Sequence, residues 1–208
     1  MKATEVNDNP EFQAKLAAHM HKFCEKMEVA KKEVTDRLLP FLVTLGTESE
    51  RSAVVLGAER VHMAVEALLK AFLLPSSNKT DNLFSSDGAL ATFSRKSEMA
   101  YRLGLLDADF KRALELVRRL RNNFAHAVAV ESLKENAHAN RVKELSKLIA
   151  KGNKKTLVEL EHVFQVGARA EKETCSYLAC IMILLMKLEL LQHFVERPKI
   201  LLPAVLKY

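Results

Sequence analysis

The chain has 208 residues, 49% of them apolar, with 6 Gly, 5 Pro and a formal net charge of +6. That is enough apolar material for one good-sized core, and a composition poor in Gly and Pro points to an all-α protein rather than a low-complexity or sheet-rich one. The charge permits a polyanionic partner without requiring one, while three irregularly spaced cysteines, Cys24, Cys175 and Cys180, exclude a disulfide scaffold and suit reduced thiols in a cytoplasmic protein.

Residues 9–31 place Phe12, Leu16, His19 or Met20, Phe23, Met27 and Ala30 at helical spacing, with Asn9-Pro10 suited to start the helix. Val34, Leu38 and Leu39 continue the pattern to Pro40 and a stop near Gly46, as a helical hairpin or one long bent helix. His19, His21 and Cys24 lie close together, but no fourth ligand recurs at metal-site spacing, so they read as packing and surface residues. The polar, acidic N-terminus lacks the layout of a signal peptide.

Thr47 followed by Glu50 has the form of a capping box opening a helix to about Phe72, with Val54, Ala58, Val61, Val65, Leu68, Leu69 and Phe72 on its apolar face. Gly57 within it implies that another helix approaches closely. Glu50 and Arg51 flank that face, as members of a buried ion pair or as an ordinary solvated helix entrance. Residues 75–82 form a loop and 85–88 a turn, with Leu83 and Phe84 tucked back toward the core. Thr92 or Ser94 caps a short helix ending near Leu103, with Gly104 as its left-handed stop.

Asp107 caps the next helix, which runs to Ala127 with Phe110, Ala113, Leu114, Val117, Leu120 and Phe124 as its stripe. At about 100° per residue Arg121 falls on that stripe, while Arg118 and Arg119 point elsewhere. A guanidinium there needs an acidic partner or a wet cleft, and Glu50 is available as the partner. A helix then runs from Glu135 or Ala139 to Ala150, and a basic turn follows at Lys151-Gly152-Asn153-Lys154-Lys155. Thr156 with Glu159 opens a last helix that runs past Gly167 to about Glu196 and is apolar on all sides from Leu178 to Met186, the mark of a bundle centre or a subunit contact. The apolar run from Tyr177 to Met186 spans only about 15 Å as a helix, short of a hydrocarbon core of about 30 Å, so no membrane span is expected. The tail with Ile200, Leu201, Leu202, Val205 and Leu206 packs on the domain or a partner.

Arg121-Asn122-Asn123-Phe124-Ala125-His126 has the form Arg-Asn, three residues, His, and resembles the signature of HEPN domains, helical bundles many of which are metal-independent ribonucleases. Residues 48–58, Leu83-Phe84, Gly88-Ala89-Leu90, Thr92-Phe93-Ser94, Tyr101-Arg102-Leu103-Gly104-Leu105 and residues 121–126 together resemble the mannitol operon repressor family of bacterial regulators, helical proteins related in shape to HEPN bundles. The resemblance implies one helical domain, a multi-helix bundle, with residues 1–46 as an N-terminal extension, 47–127 as the region of resemblance and 128–208 as C-terminal helices and tail.

Two functions follow from it. The first is a negative transcriptional regulator that acts through protein, RNA or DNA partners without a helix-turn-helix of its own. The second is a metal-independent endoribonuclease in which His126 is the acid or base, Arg121 clamps phosphate and Asn122 positions the substrate, with Glu50, Arg51 and Tyr101 as supporting candidates. On an unbroken helix Arg121 and His126 stand about 140° apart, so they converge in one chain only if the helix ends or bends, and otherwise in a homodimer. No phosphate-binding glycine loop, paired-cysteine metal motif or nucleophile elbow is present in the sequence, so no cofactor is expected.

Overall fold

The computed structural model describes residues 10–77, 81–126, 132–168 and 170–197. They form α1 (Pro10–Thr47), α2 (Glu50–Phe72), α3 (Phe93–Arg102), α4 (Ala108–His126), α5 (Asn136–Ala150), α6 (Lys154–Ala168) and α7 (Lys172–Phe194), with no strand among the described residues. The protein is an all-α multi-helix bundle, and α7 is at its centre, packed against α1, α2, α5 and α6.

The residues from Tyr177 to Leu185 are all buried, so this helix has no solvent face along its middle. By length and composition α7 could cross a membrane, yet 72% of its most apolar window is buried inside the bundle. The Tyr177 hydroxyl donates to the Val54 carbonyl at 2.9 Å, and Cys175 and Cys180 are buried free thiols. Burial pushes the Cys180 thiol up to about 12, which makes it a packing residue. Glu189, 4% exposed, is held between Arg60 of α2 at 2.7 Å and Arg37 of α1 at 2.6 Å, so one carboxylate ties three helices together.

The last two helices correct a sequence expectation. One helix from Thr156 to about Glu196 would carry the apolar segment away from the bundle, and the chain instead ends α6 at Ala168 and folds α7 back against it. Thr156 caps nothing. α6 starts at Lys154, with the Leu157 amide donating to the Asn153 carbonyl. Thr47 likewise belongs to the end of α1, and the cap of α2 is Ser49, whose hydroxyl accepts from the Ser52 amide at 3.2 Å. The expected helix ends at Phe72 and Ala150 are where the structure has them, and Gly104 and Gly152 have φ of 73° and 80°. Thr92 caps α3, and the Asp107 carboxylate accepts from the Phe110 amide at 2.7 Å to cap α4.

α1 is a single helix of 38 residues, about 57 Å long, that continues through Pro40. Its apolar stripe is continuous, but only the second part is covered. Ala30, Val34, Leu38, Leu42 and Leu45 are buried, whereas Leu16, Met20 and Phe23 are about half exposed. Phe23 meets Phe194 at the last turn of α7, 5.9 Å between ring centres, and the residues before it extend beyond that helix. Phe84 packs against the core as expected, but Leu83 stays exposed because its backbone is engaged in the loop, its carbonyl accepting from the Leu90 amide. Gly88 sits so close to the Asn82 carbonyl that a Cβ would fall 2.2 Å from its oxygen. The tail from residue 198 onward lies outside the described residues.

At Gly57 a Cβ would meet Leu45 and Ile181 at 3.4–3.5 Å, ordinary contact from two neighbouring helices. Gly57→Ala should therefore gain helix propensity and raise stability by about 0.5–1 kcal/mol, while Gly57→Leu should lower it by about 1–3 kcal/mol through overpacking. Urea unfolding midpoints of the two variants check this, and a destabilised Ala variant would contradict the packing.

Candidate functional site

A polar cleft lies between α2, the start of α3 and the second half of α4, with a volume of about 540 Å³. α2 contributes Ala58, Glu59 and His62, the α3 entrance contributes Ala91 to Ser94, and α4 contributes Arg118, Arg121, Asn122 and His126. Viewed down α4 at about 100° per residue, Arg121 lies about 60° to one side of Arg118, and Asn122 and His126 lie about 40° and 80° to the other. The 140° between Arg121 and His126 is therefore the width of the cleft. Both line it in one chain, with Arg118 and Asn122 between them.

Behind the cleft runs a hydrogen-bonded chain of charged groups. Lys96 of α3 is only 3% exposed, and its Nζ donates to Glu66 Oε2 at 2.6 Å and to His62 Nε2 at 2.8 Å. An ammonium has only donors, so His62 must accept at Nε2 and carry its proton on Nδ1, which faces Glu59 Oε1 at 3.2 Å. The other Glu59 oxygen lies 3.5 Å from Arg121 Nη2, and Arg121 Nη1 donates to Asn122 Oδ1 at 3.2 Å. Phe93 stacks on the His62 ring with centroids 5.0 Å apart. Burial, and then the Lys96 ammonium, push the His62 imidazole below its usual value. Burial works against the Glu66 carboxylate, but hydrogen bonds from Lys70 and Lys96 outweigh it and hold its carboxyl below the usual range.

The network relocates several sequence candidates. The acidic partner of Arg121 is Glu59, not Glu50, which accepts from the Leu133 amide at 3.0 Å and the Thr174 hydroxyl at 2.5 Å. Glu50 joins α2 to the start of α5 and to α7 instead. Arg51 Nη2 donates to the Ala125 carbonyl at 3.5 Å, near the C-terminus of α4. Tyr101 stands at the far end of α3 beneath the Lys111 ammonium, 4.7 Å from its ring centre, and does not line the cleft. Lys151 of the basic turn is paired with Asp109 at 2.6 Å. Arg121 is half-buried at the edge of the α4 stripe, and Arg118, read from the sequence as pointing away, is a cleft residue. The missed residues are Glu59, His62, Lys96 and Arg118. Spacing gave a signal only for Arg118, which shares a helix face with Asn122 four residues on.

Comparison of the chain with protein-family models, with curated proteins and with solved structures gives no match. Among the described residues no group of three His, Cys, Asp or Glu side chains is arranged to hold a metal ion.

His62 is neutral in the folded chain below the pH at which an unfolded histidine would protonate. Between its lowered value and the ordinary value of about 6.5 the unfolded chain binds more protons, so stability is lost as pH falls through that window. Urea midpoints measured from about pH 7.5 to pH 5 should fall more steeply for the wild type than for His62→Gln. Parallel slopes would rule this out.

Proposed function

We propose that this chain is a cytoplasmic regulatory protein of the mannitol operon repressor kind, a negative transcriptional regulator working through protein or nucleic-acid partners. The observation that carries the reading is the engagement of Arg121. Its guanidinium faces Glu59 across α2 and α4 and donates to its neighbour Asn122, so it organises the cleft rather than standing free to clamp a phosphate. The segments that carry the family resemblance also support it. Ala58, Thr92, Phe93, Ser94, Arg121, Asn122 and His126, drawn from three of them, line one cleft although they are scattered over 69 positions. A site shared in this way is what a ligand-responsive bundle needs, and partner binding then supplies the output.

The second reading, a HEPN-type metal-independent endoribonuclease, is favoured by the presence of Arg121, Asn122 and His126 along the same cleft. In that case His126 transfers the proton, Arg121 must exchange Glu59 for the phosphorane, and Asn122 orients the substrate. The His62 ring is ill placed to be a second acid or base, since both its nitrogens are occupied. A homodimer belongs to the proposal under either reading, and the mass in solution measures it.

Incubation of the full chain with mixed single-stranded and structured RNA in the presence of a chelator separates the two. The regulator leaves RNA intact, in the wild type and in His126→Ala alike. Cleavage by the wild type that is lost in His126→Ala would replace the regulatory reading with the nuclease.

A further inference from the structure

Arg118 occupies the middle of the α4 face that lines the cleft, and its charge has no local answer. Glu115, three residues before it, is bound by Arg112 and Arg119. Glu98 is bound by Arg102 and Lys111. Glu59 faces Arg121 and His62. These are the acids that line the two cavities Arg118 borders, and each is committed to another cation. Arg118 itself, half-buried, makes no hydrogen bond or ion pair among the described residues.

The charge balance of the cleft follows. Glu66 is shared by Lys96 and Lys70 and Glu59 faces Arg121, while His62 is held neutral between Lys96 and Glu59. The guanidinium of Arg118 is left over, in a concave site where a positive charge is less screened than on an open surface. The donors around it do not lie in one plane. The Arg118 fork, the Asn122 amide and the His126 ring spread over about 80° of the α4 face, and Thr92 to Ser94 bring the positively polarised start of α3 to the opposite wall. A planar carboxylate accepts from a fork in its own plane, whereas a tetrahedral group with several oxygens accepts from separate directions. The cleft volume of about 540 Å³ also leaves room for the group to which such an anion is attached.

We propose that this cleft binds a phosphoryl group, with Arg118 as the residue that contacts it. The inference deepens the regulatory reading and rests on its placing of the function in this cleft. The phosphoryl can belong to a small phosphate ester or to a nucleic-acid strand, and the same donors serve for both.

The test is a binding titration of the full chain with glycerol 3-phosphate and, separately, with a fluorescein-labelled single-stranded oligodeoxyribonucleotide, which offers no 2'-hydroxyl for cleavage. The wild type should bind at least one of them. Arg118→Ala should weaken that binding by about tenfold or more, and Arg118→Lys by less. Lys155→Ala, at the exposed start of α6 and away from the cleft, should leave it unchanged. Because Arg118 has no partner to lose, its Ala variant should unfold at the wild-type urea midpoint, so a loss of affinity cannot be ascribed to misfolding. Binding by the ester identifies a small ligand, and binding by the strand alone identifies a nucleic acid; either supports the proposal. Failure of both probes to bind, or equal affinity in Arg118→Ala, overturns it. Loss of the regulatory reading shows instead as RNA cleavage, which this titration does not measure.

Discussion

A helix that is apolar on every side must be covered on every side, and in this chain that constraint falls on α7. Its middle nine residues, from Tyr177 to Leu185, are all buried, so four other helices have to converge on it. Glu189 shows how the polar end of the same helix is managed. Its carboxylate leaves water only because Arg37 and Arg60 arrive from two different helices to meet it. With α1 and α2 fixed in this way against α7, α2 in turn sets the position of α4 and α3, which pack on its other side. The cleft is what remains between those three helices.

Charge within the cleft is ordered by one buried lysine. Lys96 can be almost fully buried because Glu66 offsets its charge and His62 accepts a second hydrogen bond from it. That arrangement fixes the tautomer of His62, which fixes a donor toward Glu59, which in turn faces Arg121. Five side chains from three helices thus determine the electrostatics of a site that only some of them line. Arg118 stands outside this chain, and the contrast between its unanswered charge and the paired charges around it is the most specific chemical feature of the molecule.

Much of the fold was legible in the sequence because helix ends are local. Asp107 at the start of α4, Thr92 before α3 and the left-handed Gly104 after it act within a few residues of themselves, and each is where the pattern put it. The misread positions depended on distant partners. Thr47 and Thr156 have the spacing of capping boxes, yet tertiary packing carried α1 through the first and started α6 before the second. The break between α6 and α7 depends on burying an apolar helix, which no local signal encodes. The same holds for the site. Arg121, Asn122 and His126 could be found as a motif on one helix, whereas Glu59, His62 and Lys96 acquire meaning only where α2, α3 and α4 meet.

The order in which the chain is made gives α7 a further consequence. It is the last of the seven described helices to leave the ribosome, and two of its packing partners, α1 and α2, are the first. Until residues 172–194 emerge, the faces of α1 and α2 that pack on α7 lack that cover, and the nascent protein carries exposed apolar surface. Such long sequence separation between core partners is unusual for a helical bundle, where neighbours along the chain commonly suffice. Among the described helices, α7 is the one that closes the core, and it is made after all the others.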